Sequence, residues 1–272
     1  MADEQILVLG GTGTVGRRLA AALRDGGEQV RAVSRSGRPR FDWADRATWA
    51  PVLDGVSRLY LLTPDGVPVE PEFVAVAVAS GVRRIVLQSS AGIEAMGDER
   101  LLAAERTVRA SGAEWTILRP HWFNQNFDEG FFRDAVLAGE VALPVGDVRA
   151  AFVDAQDIAA VAAAALTEDG HAGERYEVTG PAALTFAEAV DVIGRAAGRP
   201  VRFDGTVEGY LAAQRAIGRS PEEVAGEVAA FTALAAEGDA TPAGSVRRVT
   251  GRPPATFEAY AAAAAARGAW RS

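Results

Sequence analysis

An apolar run, Ile6 to Leu9, is followed at once by Gly10-Gly11-Thr12-Gly13-Thr14-Val15-Gly16 and then by apolar residues at helical spacing, Val15, Leu19, Ala22 and Leu23. The order is a buried strand, a glycine-rich turn and a helix. Gly10, Gly13 and Gly16 recur at three-residue intervals, and each has its own physical task. Gly10 turns the chain sharply off the strand, Gly13 leaves room for a pyrophosphate to approach the backbone, and Gly16 lets the helix lie close on the sheet. The helix then aims unpaired N–H groups and its positive dipole end at that phosphate. The expectation is a dinucleotide site formed by Gly10, Thr12, Gly13, Thr14, Val15 and Gly16.

The residue about twenty positions beyond such glycines selects the cofactor: an acid accepts from the ribose 2′-OH, whereas an arginine favours a 2′-phosphate. Here a second strand, Gln29 to Ser34, ends without an acid, and Arg35 leads Arg38 and Arg40. Ser34 and Arg35 therefore predict NADP(H) over NAD(H). Asp42 and Trp43 fall where an adenine would lie, although an aromatic there also serves as a core anchor.

Strands and helices then alternate. Arg58–Leu62 is a third strand ending in Thr63-Pro64, and a helix runs from about Pro71 to Ser80. Arg84–Gln88 is a fourth strand ending in Ser89-Ser90, Asp98 caps a helix to about Ala110, and Trp115–Leu118 is a fifth strand ending in Arg119-Pro120. Such alternation predicts an α/β fold with a doubly wound parallel sheet, whose ligands bind beyond the C-terminal strand ends. That adds Leu62, Thr63, Pro64, Gln88, Ser89 and Pro120 to the expected cofactor site.

After Pro120 the pattern changes to His121-Trp122-Phe123-Asn124-Gln125-Asn126-Phe127. Apolar walls with a few polar groups describe a small-molecule pocket, and equally a loop packed on a core. Ser90, His121, Trp122, Phe123 and Gln125 are the substrate candidates. Short strands are expected at Val141–Pro144 and Ala151–Val153, a helix over Asp154–Leu166, and strands at Glu174–Val178 and Val201–Phe203. Capping boxes at Thr185–Glu188 and Ser220–Glu223 open helices to about Ala197 and Ala236. Gly238–Gly244 reads as a flexible link before a last helix over about Thr256–Arg267.

Composition removes several chemistries. The 272 residues include no cysteine and two histidines, His121 and His171, so thiolate chemistry is excluded and no metal site is expected. All 28 basic residues are arginine, so a Schiff base, a P-loop lysine and a Tyr-x-x-x-Lys pair are excluded. A net charge of −8 argues against nucleic acid as a partner. With no long apolar span, and a strand beginning within the first few residues, no membrane association and a cytoplasmic location are expected.

Together these stretches resemble the NmrA-like group of atypical short-chain dehydrogenases/reductases. The resemblance rests on Gly10 to Gly16, Val82-Arg83-Arg84-Ile85-Val86 with Ser89-Ser90, Glu105 through Ser111-Gly112, and Trp115-Thr116-Ile117-Leu118-Arg119-Pro120. It continues through Trp122-Phe123, Asn126-Phe127, Phe152-Val153-Asp154 with Asp157-Ile158-Ala159, Thr179-Gly180-Pro181 and Val249-Thr250-Gly251-Arg252-Pro253-Pro254. It implies an NADP-binding Rossmann domain over residues 1–120, rejoined by about 151–167, and a smaller α/β substrate-binding region over 121–150 and 168–272. Many short-chain reductases use Tyr-x-x-x-Lys, and some NmrA relatives use a lysine on the helix before the fifth strand; this chain has Arg100-Leu101-Leu102 there.

Ketone reduction places charge on oxygen and needs a donor nearby. An iminium carbon is already activated, and a quinone spreads the incoming charge over its ring. The expected function is an NADPH-dependent reductase of a small conjugated, quinone-type or iminium substrate, with His121 as the first choice should an acid be needed. An NADP(H)-binding isomerase or cyclase, and a non-catalytic NADP(H)-sensing regulator of a protein partner, are the alternatives. Neither the substrate nor the oligomeric state follows from the sequence.

Overall fold

The computed structural model describes residues 5–271. The first half alternates as expected: β1 (Gln5–Leu9), α1 (Thr14–Asp25), β2 (Val30–Val33), α2 (Trp49–Leu53), β3 (Val56–Leu61), α3 (Pro71–Ala79), β4 (Arg84–Gln88), α4 (Glu99–Arg109) and β5 (Glu114–Pro120). The second half holds α5 (Arg133–Ala138), β6 (Glu140–Ala142), β7 (Arg149–Ala150), α6 (Ala155–Thr167), β8 (Glu174–Val178), β9 (Leu184–Thr185) and α7 (Phe186–Ala197). It ends with β10 (Arg202–Asp204), α8 (Val207–Ala216), α9 (Pro221–Ala236), α10 (Ser245–Thr250) and α11 (Phe257–Ala266).

Six strands form a parallel sheet in the order β2-β1-β3-β4-β5-β8. The fold is the doubly wound Rossmann-like α/β class, because the side-chain period of two lets each strand bury both faces. Leu7 and Leu9 point into a core closed by α2, α3 and α4, while Ile6 and Val8 point into one closed by α1 and α6. A third core, built on Phe127, Phe132, Phe152, Phe186 and Phe257, belongs to the second half.

Local signals behaved as the side chains dictate. Asp98 Oδ1 accepts from the Leu101 N–H at 3.0 Å, and Asp154 Oδ1 from the Gln156 N–H at 2.7 Å. Both capping boxes are present, at Thr185/Glu188 and Ser220/Glu223. Asp45 caps a single 3-10 turn, Arg46–Thr48, that leads into α2.

Several expectations are corrected. β8 was assigned to the substrate region, but it pairs with β5 as the sixth strand of the Rossmann sheet, and Val246 of α10 packs in the α1/α6 core. The strand expected at Ala151–Val153 lies at Arg149–Ala150, antiparallel to β9, with Val153 making only an isolated bridge to Phe123. The strands expected at Val141–Pro144 and Val201–Phe203 are β6 and β10, which pair with each other. The stretch 238–244 is tied down: the Ala240 N–H donates to Arg149 O and the Ala243 N–H to Thr179 Oγ1, at 2.9 and 2.8 Å. Helix α8, absent from the sequence reading, is capped by Thr206, whose Oγ1 accepts from the Gly209 N–H at 3.0 Å.

Candidate active site

The sheet order reverses between β1 and β3, so the ligand crevice opens beyond their C-terminal ends. Gly10 turns off β1 at φ +67°, a region open to glycine. A Cβ on Gly16 would sit 2.1 Å from the Gly10 carbonyl oxygen, so this glycine lets α1 start directly on the turn. Gly11, to which the spacing gave no task, also has no room: its Cβ would lie 2.7 Å from that of Ala32. Gly13 differs, since a Cβ there would meet only the Gly10 oxygen, at 3.2 Å.

Helix α1 carries no side-chain cap and no acid in its first turn. The Gly13 N–H is spent on Gly10 O at 2.8 Å, and the Arg17 N–H bonds Gly13 O at 3.1 Å. Between them, the N–H groups of Thr14, Val15 and Gly16 have no hydrogen-bond partner among the described residues. Thr12 stands exposed at the same turn. Three unsatisfied donors at a dipole terminus fit a phosphate.

Beyond β2, Arg35 and Arg38 are exposed and have no ion-pair partner among the described residues. Arg40 is committed to Asp42 and Asp45, at 2.7 and 2.9 Å. Ser34 Oγ is buried without a hydrogen-bond partner. Asp42 is used locally, taking Arg40 and the Ala44 N–H. Trp43 is half-buried, its ring 5.2 Å from Phe41 and 5.1 Å from Phe73, which makes it an anchor of the core on one side.

A cavity of about 730 Å³ adjoins the crevice. Leu62 and Thr63 (after β3), Gln88 (ending β4) with Ser89 and Ser90, and Pro120 (ending β5) with His121, Trp122 and Phe123 line it, each among the cofactor or substrate candidates of the sequence. Pro64 does not line it; its carbonyl accepts from the Val67 N–H in the loop after β3. Gln125 is a correction. It is 3% exposed, donates to Asp154 Oδ2 at 3.0 Å and accepts from the Ala155 N–H at 2.8 Å, so its amide fastens the loop to the start of α6. The second half adds Glu177 from β8, Phe186 from α7 and Leu234 from α9, which sequence order alone did not bring near. Gly92 (φ +69°) is what admits Leu234, whose Cδ1 would lie 2.4 Å from a Cβ there.

Arg119 and Glu105 are buried together, Nε to Oε1 at 2.7 Å, and Arg119 also pairs with Glu94 at 2.8 Å. Ser89 Oγ donates to Glu105 Oε1 at 2.8 Å. Burial alone would raise the Glu105 carboxyl; the hydrogen bonds from Arg119 and Ser89 outweigh it and hold the group below the usual carboxylate range. Because Ser89 spends its proton on a carboxylate, it offers the cavity only lone pairs. His121 Nε2 lies 3.0 Å from Glu177 Oε2, and that contact lowers the Glu177 pKa.

None of the four tyrosines lines the cavity. The Tyr60 hydroxyl donates to Gln88 Oε1, and burial pushes its pKa up. Tyr176 meets His171, Tyr210 meets Glu227, and Tyr260 donates to Asp128. Besides the guanidiniums of Arg100, Arg119 and Arg149, the side chains of the lining able to offer a proton or hydrogen bond to a ligand include His121, the Thr63 hydroxyl, the Trp122 indole N–H and the amides of Gln88 and Asn126, with no phenol or lysine ammonium among the described lining residues.

Comparison with known proteins places this geometry. The profile of the NmrA-like family matches residues 2–242. The chain belongs to the NmrA-like family. An NAD(P)H azoreductase of Xenophilus azovorans is 34% identical, with 96% of this chain and 98% of that protein covered. A (4-alkanoyl-5-oxo-2,5-dihydrofuran-3-yl)methyl phosphate reductase of Streptomyces griseus is 36% identical, covering 94% of this chain and 96% of that one. The NADPH complex of an Escherichia coli NADPH-dependent quinone oxidoreductase superposes with a TM-score of 0.78 at 22% identity, covering 95% of this chain and 99% of that chain, which speaks to the fold. Among the described residues no helix is long and apolar enough to cross a membrane, and no cluster of potential metal ligands is present.

Proposed function

We propose that this NmrA-like protein is an NADPH-dependent reductase of a small conjugated substrate, of the quinone or iminium type, working without a Tyr/Lys proton donor. One observation carries the reading. Leu62 is packed against the glycine turn, its Cδ2 2.8 Å from where a Gly10 Cβ would be, and the same residue lines the cavity. The dinucleotide crevice and the aromatic cavity thus share a wall.

The free N–H groups of Thr14, Val15 and Gly16 would hold the pyrophosphate, and Arg35, with no internal partner among the described residues, would take the 2′-phosphate. NADPH bound there supplies a hydride. The chain's own task is to hold the acceptor flat against Trp122, Phe123 and Phe186 and to keep water from the reacting carbon. Ser89 accepts, Gln88 donates, and neither transfers a proton. On this reading the Phe127–Phe257 core belongs to the substrate-binding region.

The test is NADPH oxidation with menadione and with a cyclic iminium ion. Turnover that proceeds equally without NADPH would make the protein an isomerase and overturn the reading. The absence of turnover, together with redox-dependent capture of a protein partner, would make it a sensor.

A further inference from the structure

The polar side of the cavity is unbalanced in charge. Among the described residues its lining carries five carboxylates, Asp65, Glu94, Glu177, Glu237 and Asp239, against three guanidiniums, Arg100, Arg119 and Arg149. Each guanidinium already holds a carboxylate from outside the lining. Arg100 pairs with Asp98 at 3.0 Å, Arg119 with Glu105 at 2.7 Å, and Arg149 with Glu188 through two contacts of 2.7 and 3.0 Å. An anionic substrate would find no uncommitted cation and would have to displace a carboxylate already in place.

Glu94 is held by Arg119 through contacts of 3.0 and 2.8 Å, but the other four acids are less committed. Asp65 and Glu237 are exposed and have no ion-pair partner among the described residues. Asp239 accepts only a backbone N–H, from Arg149 at 2.9 Å, and Glu177 faces His121. Facing this excess is an apolar wall that includes Trp122, Phe131 and Phe186. The Trp122 ring stands 6.4 Å from that of Phe131 and at 90° to that of Phe186, 5.2 Å away, which leaves aromatic faces and edges at several inclinations. A delocalised cation gains from ring faces and from neighbouring carboxylates together.

We infer that the cavity selects flat, positively charged aromatic acceptors and rejects anionic ones, because every lining arginine is neutralised from behind while four of the five lining acids, all but Glu94, hold no guanidinium among the described residues. The inference rests on the reductase reading for its chemistry, though not for its binding preference. Reduction of such a cation takes up one hydride from NADPH: one C–H bond breaks on the cofactor, one forms on the acceptor, and the positive charge passes to NADP⁺. No proton enters the balance, so the missing donor has no consequence for this substrate class.

The experiment is equilibrium dialysis of the full chain, without NADPH, against two three-ring probes, N-methylacridinium and anthraquinone sulfonate, at low and high salt. The cation should bind about tenfold more tightly at low salt, and the difference should shrink as salt screens the carboxylates. The double variant Asp65→Asn/Glu237→Gln, altered at exposed positions that hold no internal ion pair, should weaken the cation roughly threefold to tenfold and leave the sulfonate unweakened. Equal affinity for the two probes, or tighter sulfonate binding, overturns the charge selection. NADPH oxidation is measured separately. A cation preference without oxidation of NADPH by either probe refutes the reductase reading and leaves the charge selection standing. Oxidation with no charge preference does the reverse.

Discussion

His121 Nε2 and Glu177 Oε2 lie 3.0 Å apart, joining the residue after β5 to the neighbouring strand β8 at the edge of the cavity. The imidazole therefore has a carboxylate partner of its own before any substrate arrives. On a quinone or iminium substrate, His121→Ala should lower kcat by well under the roughly 10²–10⁴-fold typical of a lost general acid. Steady-state kinetics with NADPH oxidation as readout decide it. A loss of about three decades in kcat with KM unchanged would make His121 the proton donor.

The glycine turn offers one clean substitution. Gly10 needs its left-handed φ, and side chains at Gly11 and Gly16 would meet packed atoms under 3.0 Å away, so their variants would disturb the fold. Gly13 meets only one oxygen, at 3.2 Å. Gly13→Val should fold, as judged by circular dichroism, and should lose NADPH binding because its side chain occupies the phosphate's approach. Unchanged NADPH affinity in the folded variant would sink the assignment.

Cofactor choice should follow Arg35, which is exposed and without an ion-pair partner among the described residues, whereas Arg40 already holds Asp42 and Asp45. Arg35→Ala should weaken NADPH selectively, by about tenfold or more for the loss of a charge-assisted phosphate contact. Titration of both cofactors by fluorescence tests it, and an equal loss for NADH would show that Arg35 is not reading the 2′-phosphate.

Glu105 is 1% exposed and Arg119 5%. Glu105→Ala leaves a guanidinium buried with part of its compensation removed and should cost about 3–5 kcal/mol in urea denaturation. The sign with pH follows from the lowered Glu105 pKa. Stability from this carboxylate is fully present above its pKa in the unfolded chain and is lost as pH falls through the lower folded value. Wild type should therefore lose more stability than Glu105→Ala on acidification through that window, and parallel losses would contradict the linkage.

Trp122 stands against Phe186 and near Phe131 on the apolar wall. Trp122→Ala should raise KM for a flat aromatic substrate about tenfold or more, with a smaller effect on kcat, if the ring binds ground and transition states alike. A loss confined to kcat would instead place Trp122 at the reacting atoms.

By itself the sequence determined what depends on near neighbours. The strand–glycine–helix opening, the alternation of strand and helix, and the caps at Asp98, Thr185 and Ser220 are set by residues within a few positions of one another, and the structure has them where they were expected. The absence of lysine is likewise a property of the chain alone. What only the tertiary structure decided are pairings between distant segments. β8 joins the Rossmann sheet because its hydrogen-bonding edge meets β5, which no pattern within Glu174–Val178 announces. The same pairing carries Glu177 to His121, and the packing of α9 carries Leu234 to Gly92. Gln125 reads as a pocket amide beside Trp122 and Phe123, yet it turns inward because Asp154 and the Ala155 N–H, some thirty positions on, satisfy both ends of its side chain. Local periodicity settles which side of an element is apolar; which partner that side meets is a non-local choice, made by the burial of whole cores.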